Sequence, residues 1–302
     1  MSLVYLVMAH TAPEQVARLV DRLGTPEDVV YVHVDRKTAV EPFERAFAQL
    51  DRPPRMLPRR VPVHWGGYGI VKATLIGMRT ALAQPEPWSH LVLLSGADYP
   101  IRSADATRAF FDAHPGRSFL SWSAGDGYKV PDEERAGNAT WHWPGDRWRL
   151  DTWTISIRGR RWHVPNDRIR VAPPHPLPPG LRTPYQGSAW VTLTPEACRY
   201  VLRFLRRRPD AALFFRTTMI QDEFVFQTIL LNSPLRDTVV NEDLRYMNWA
   251  GNSPPTIQPA DVPLMRASAK LFGRKFDLAT APEPYDALDR LAAAEVVAPG
   301  VG

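Results

Sequence analysis

The first 120 residues alternate short apolar runs with amphipathic ones, and this order constrains the fold more than anything else in the chain. LVYLVMAH (3–10) and VVYVHVD (29–35) are near-continuous apolar runs of strand length, and HLVLLSGADYPIRS (90–103) opens on a third at 91–94. Strands apolar on both faces belong to sheets covered on both sides. Between them the spacing predicts helices over 13–23, 42–50, the later part of 64–82, and 104–113, with a short strand over 56–61. Thr11 is placed to cap the first helix and Gly24 to stop it. Strand–helix alternation of this kind builds a mostly parallel sheet with helices on both faces. Ligands in such sheets bind beyond the carboxyl ends of the strands, and those ends carry His10, Asp35 and the 95–100 loop.

The middle of the chain, 121–183, has another character. TWHWPGDRWRLDTW and GRRWHVPNDRIRVAPPHPLPPG are rich in Trp, Arg, His and Pro and show little periodicity. Tryptophans suit stacking on sugar faces, and equally the packing of a loop-rich insertion. PYQGSAWVTLTPEACRYVLRFL follows, reading as a Gly turn, a strand over 189–193 and a helix with Thr194 as cap and Pro195 in first position. In TTMIQDEFVFQTILLNSP (217–234), Asp222 and Glu223 open a run whose apolar positions fit one face of a helix. Acids at a helix start are often ordinary first-turn charges; facing a cleft, one of them would serve as a general base.

Composition narrows the function. One cysteine, Cys198, excludes an internal disulfide and a thiolate zinc cluster. No phosphate-binding loop G-x-x-x-x-G-K-[ST], dinucleotide G-x-G-x-x-G, nucleophile-elbow G-x-S-x-G or H-E-x-x-H is present, and Asp-x-Asp is absent too. The net charge of +5 would draw phosphates, nucleic acid or anionic lipid. The one basic run, Arg206-Arg207-Arg208, reads as a solvated helix end, and no nucleic-acid tail is present. No apolar run reaches 18 residues and no basic leader precedes the first strand. The expectation is a cytoplasmic protein, with peripheral contact to a membrane surface left open.

Seven segments in order, VYVHVDRK, HWGGYGIVKATL, LLSGADYPIRS, PYQGSAWVTLT, QDEFVFQTIL, LRYMNW and KLFGRKFD, resemble the core-2/I-branching β-1,6-N-acetylglucosaminyltransferases and the related peptide-O-xylosyltransferases, one glycosyltransferase family. The resemblance runs from about residue 4 to residue 277. It implies a GT-A type, Rossmann-like α/β domain and transfer with inversion from a UDP-sugar, GlcNAc or xylose, to a glycan or protein hydroxyl. With no Asp-x-Asp, one cysteine and a GRKFD segment resembling the family's diphosphate-facing one, basic side chains are expected in place of a metal, and no cofactor is expected. Because the chain starts almost at its first strand, it looks like a soluble bacterial member.

Residue by residue, the resemblance implies Glu223 as catalytic base. The proline of the family's Ser-Pro-Asp-Glu pattern is missing, since Ile220-Gln221 precede Asp222. It implies Lys275, with its neighbour Arg274, facing the diphosphate, and a further basic residue drawn from Arg266 or Lys270. It implies Asp35 on the UDP side and Trp249 toward the acceptor; read from position, His10 is expected on the UDP side, Asp98 in a structural or acceptor-side role and Asp222 toward the acceptor. Read alone, Arg274-Lys275 suits a solvated helix end, and the Asp98 carboxylate suits a cap on the turn that follows it. His10, His33 and His64 are too widely spaced for a metal and read as hydrogen-bonding groups near the nucleotide. One domain is expected: 1–120 nucleotide-binding, 121–183 irregular insertion, 184–277 acceptor and catalytic half, 278–302 tail. The alternative is a non-catalytic carbohydrate-binding protein on a degenerate transferase fold.

Overall fold

A computed structural model describes residues 1–124, 153–157, 160–164, 177–218, 220–248 and 254–297. Its centre is a seven-stranded sheet in the order β12-β6-β11-β4-β1-β2-β3. The strands are β1 Ser2–Ala9, β2 Val29–Val34, β3 Arg55–Met56, β4 Trp88–Ser95, β6 Ser118–Leu120, β11 Thr192–Leu193 and β12 Val239–Asn241. All neighbours are parallel except at β11, which runs antiparallel to both β4 and β6.

The period of two along β1 divides the core. Val4, Leu6 and Met8 face one layer, packed under α3 (Gly69–Ala83) and the helices Pro195–Arg207 and Val225–Leu231. Leu3, Tyr5, Val7 and Ala9 face the other, under α1 (Pro13–Arg22), α2 (Glu41–Phe47) and the C-terminal helix Glu283–Val297. Every β1 residue from Leu3 to Ala9 is therefore buried, which accounts for its unbroken apolar sequence.

Local signals explain most element ends. Gly24 takes φ +71 just past α1, a conformation that favours glycine. Thr194 accepts the Ala197 N–H at 3.2 Å, with Pro195 in the first turn. Ser103 caps α4 (Ala104–Asp112) in the same way. Thr11, expected to cap α1, does not: Ala12 occupies the cap position at φ 53, without a side-chain bond.

The 217–234 stretch also departs from expectation. Asp222 and Glu223 lie not in an α-helix but in a single 3₁₀ turn, Gln221–Glu223. Ile220 ahead of it is left-handed (φ 53), and Phe224 behind it has φ −126, so regular helix starts only at Val225. That helix is buried all round, so it has no solvent face for a one-sided apolar stripe to define.

The strand expected over 189–193 shortens to Thr192–Leu193. Within the region that reads as irregular, Trp153–Ile157 (β8) and Arg160–Val164 (β9) pair antiparallel; the remainder of that aromatic stretch lies mostly outside the described residues. The residues after 277 form the long helix Glu283–Val297, docked on the body by Asp289, which accepts from Arg18, Arg22 and the Tyr99 hydroxyl at 2.8, 3.0 and 2.7 Å. A small sheet, β13 (Arg245–Met247), β14 (Phe272–Arg274) and β5 (Asp98–Pro100), stands beside the carboxyl end of β4.

Candidate active site

The strand order reverses between β1 and β4, and the crevice at such a switch point is where an open α/β sheet binds ligands. Its floor is backbone: the Asp35 N–H donates to the Ala9 carbonyl at 2.8 Å and the Gly96 N–H to the Met8 carbonyl at 2.9 Å. Asp35 is buried at the end of β2, where its carboxylate accepts the Lys37 N–H at 2.9 Å and faces the Lys37 ammonium at 3.4 Å. His10 is exposed at the end of β1, and its carbonyl accepts from the Thr38 hydroxyl at 3.1 Å. His33 is not on this rim. It is buried, Nε2 accepts the Val61 N–H at 3.0 Å, and burial pushes its pKa down to about 4, so it serves as a neutral structural acceptor.

On the other side of β4 the small sheet sets Arg274 opposite Asp98. The Asp98 carboxylate is fully buried with both oxygens engaged: Oδ2 accepts the Ser95 N–H at 2.6 Å, and Oδ1 pairs with the Arg274 guanidinium at 3.1 Å. The carboxylate thus binds back to the strand end ahead of it rather than capping the turn that follows, and an ion pair is added. Arg274 also donates to the Ser95 hydroxyl and stacks over the Trp190 ring at 4.5 Å. Lys275, next along the chain, is half-buried. Burial, and after it the Arg274 charge, holds its pKa below the usual lysine range. Arg274-Lys275 therefore ends a strand rather than a solvated helix.

Glu223 and Asp222 are half-buried in their 3₁₀ turn, which is anchored at both ends. The Ile220 N–H donates to the Gly66 carbonyl of the HWGGYG loop at 3.2 Å, and the Glu223 carbonyl accepts the Gly187 N–H at 2.8 Å. The 187–190 loop is itself pinned. The Ser188 carbonyl accepts from Gln227 at 2.7 Å, and the Ser188 N–H donates to the Ser121 hydroxyl at 3.0 Å. Three residues on from Gly187 stands Trp190, so one loop holds the backbone of Glu223 at one end and the guanidinium of Arg274 at the other.

The structure brings Arg274, Asp98 and Ser95 together, joins Glu223 to them through this loop, and leaves Arg266 and Lys270 elsewhere. Arg266 pairs with Glu295 and donates to the Ile101 carbonyl, and Lys270 pairs with Glu242 at 2.6 Å. The second basic residue expected from these two is engaged in structural pairs. Trp249 lies outside the described residues. Among the described residues no three His, Cys, Asp or Glu side chains cluster as a metal site, and no helix is long and apolar enough to cross a membrane.

Three contributors escaped the sequence. Trp190 lies inside a quoted segment but reads there as a strand residue. Arg245 is fully buried and joins the two sheets, reaching the Leu93 carbonyl of β4 and lying 4.7 Å over the Phe272 ring. Gln15 on α1 donates to the Gly96 carbonyl at 2.6 Å and accepts the Leu278 N–H at 2.8 Å, tying the crevice loop to the segment after Lys275. Nothing local in the sequence distinguishes it.

One loop thus ties an acidic turn to a basic strand end beside the carboxyl edge of a mostly parallel sheet. The family model for the Core-2/I-Branching enzyme matches residues 3–266, and the chain belongs to that family. Among curated relatives, xylosyltransferase 1 of Homo sapiens is 26% identical over 307 residues, covering 94% of this chain and 29% of that protein. Xylosyltransferase oxt of Drosophila melanogaster is 26% identical over 301 residues, covering 90% of this chain and 31% of that one. The chain thus spans about a third of these relatives' length. Among solved structures, TarS 1-349 of S. aureus aligns with all of this chain and 67% of its own at 14% identity and a TM-score of 0.39.

Proposed function

We propose that this chain is a glycosyltransferase that moves a sugar, GlcNAc or xylose, from a UDP-sugar to a hydroxyl of a glycan or protein, with inversion and without a divalent metal. The Glu223 carboxylate takes the acceptor hydroxyl proton as that oxygen attacks the anomeric carbon. The bond from the anomeric carbon to the diphosphate breaks, and UDP leaves with the electron pair on its β-phosphate oxygen. Lys275, held in place by the Arg274 strand end, meets the developing charge. Asp35 and His10, at the ends of β2 and β1, face the nucleoside side of the crevice. Asp222 and Trp249 serve the acceptor side.

The observation that carries this reading is the 187–190 loop, which couples the Glu223 turn to the Arg274 strand end through one hydrogen bond and one stacked ring. Freedom from metal rests on the donor set: the Asp98 oxygens are already committed to a guanidinium and a backbone N–H, and a carboxylate so neutralised is a poor ligand for a cation.

A thermal-shift screen against UDP-sugars, followed by transfer in excess EDTA, tests both parts. One UDP-sugar should raise Tm in proportion to the logarithm of its concentration above Kd, and turnover with it should persist in EDTA. Silence across the panel would end the transferase reading. Loss of turnover in EDTA with recovery in Mn²⁺ would end the metal-free part and make Asp98 the first ligand to test.

A further inference from the structure

The helix Pro195–Arg207 carries arginines at 199, 203, 206 and 207, a spacing that gathers them on one face. All four are exposed, while Ala197, Cys198 and Val201 on the opposite face are buried in the core. Among the described residues no carboxylate lies within ion-pair distance of any of the four; Arg208, next along, takes Asp210 instead. One acid, Glu196, shares the helix, at its amino end. The four arginines span about 12 Å along the axis, comparable with the Debye length of about 8 Å at physiological salt, so they present one joint field. By contrast, Arg45, Arg52, Arg55 and Arg59 are interspersed with exposed Glu41, Glu44 and Asp51.

We infer that this face adsorbs the protein to an anionic phospholipid bilayer. The partner follows from charge and shape together. A helix whose apolar side is used up in the core offers nothing to insert, so it suits contact with a plane of negative headgroups. The helix that follows directly after Arg208, Pro209–Thr217, exposes Leu213 at 59%. An exposed apolar side chain is accommodated by the headgroup layer and has no counterpart on a polyphosphate chain. The inference is independent of the transferase reading.

The test is sedimentation of the full chain with vesicles of equimolar phosphatidylcholine and phosphatidylglycerol, beside vesicles of phosphatidylcholine alone. The wild-type chain should pellet with the mixed vesicles only, and release in about 1 M NaCl, where the Debye length falls to about 3 Å. The variant Arg199→Gln/Arg203→Gln/Arg206→Gln/Arg207→Gln should lose partitioning by about 10³-fold with Tm unchanged. The charge-matched variant Arg45→Gln/Arg52→Gln/Arg55→Gln/Arg59→Gln should pellet like wild type. Absence of pelleting by the wild-type chain overturns the inference. So does equal loss in the two variants, which would mean bulk charge alone, or tighter binding to duplex DNA than to the mixed vesicles.

Discussion

Arg274 and Lys275 are neighbours with different work. Arg274 neutralises a carboxylate that has no contact with water, so Arg274→Ala leaves Asp98 charged and buried. Removing one partner of a buried pair costs about 3–5 kcal/mol, and the expected outcome is a large fall in Tm, read by thermal unfolding. Lys275 is half-buried, and burial already weighs against its charged form. An anion beside it would offset that penalty. Lys275→Ala should keep Tm within a few degrees while weakening UDP binding, measured by calorimetry, and slowing transfer together with it. If Lys275→Ala unfolds the chain and Arg274→Ala does not, the two roles are exchanged. Glu223→Gln is nearly isosteric and leaves the backbone bonds at Ile220 and Gly187 untouched. It should bind UDP as wild type does and transfer at least about 10²-fold more slowly. Near-wild-type turnover would move the base to Asp222.

Among elements, the 187–190 loop is the one through which the two halves of the site share a position. A β-carbon on Gly187 would stand 1.7 Å from the Ser121 carbonyl oxygen, so the loop must shift. Gly187→Ala should cost about 1–3 kcal/mol through overpacking and lower kcat by more than that cost explains, because Glu223 and Trp190 both hang from this loop. Wild-type kcat in a destabilised Gly187→Ala would separate the loop from the chemistry. The loop also marks where sequence reasoning stops. β1, β2 and β4 are legible because burial on both faces leaves few polar positions in them, and Thr194-Pro195 is legible because a cap is local. The Gln221–Glu223 turn is not, since its departure from helix depends on Ile220 docking against Gly66, far away in sequence. Nor is the Asp98–Arg274 pair, whose members stand 176 residues apart. The family resemblance supplied Arg274 and Lys275 as basic residues; it could not say which of them the fold itself occupies.

At the scale of the molecule, the two-sided core leaves its own signature in pH. His33 lies in β2 and His90 in β4; both are buried, His33 accepting the Val61 N–H and His90 donating to the Arg117 carbonyl, and burial lowers each pKa from 6.5 to about 4. The unfolded chain binds protons at these rings below pH about 6.5, whereas the folded chain does not until about pH 4. In that window the unfolded state holds more protons, so stability rises with pH and is lost on acidification. The loss can reach about 3 kcal/mol per ring by pH 4. The exposed acid Asp210, whose pKa the Arg208 hydrogen bond lowers to about 2, stays charged across this window. Urea unfolding between pH 7 and pH 4 should therefore show the midpoint falling steadily from about pH 6.5 downward. Replacing His90, which packs 4.6 Å from the Phe111 ring, by Phe should remove about half of that slope while leaving the His33 share intact. A flat profile across the window would mean that the rings are already charged in the folded chain. In that case the Val61 N–H could not be donating to His33, and the crevice edge beside Asp35 would be built differently.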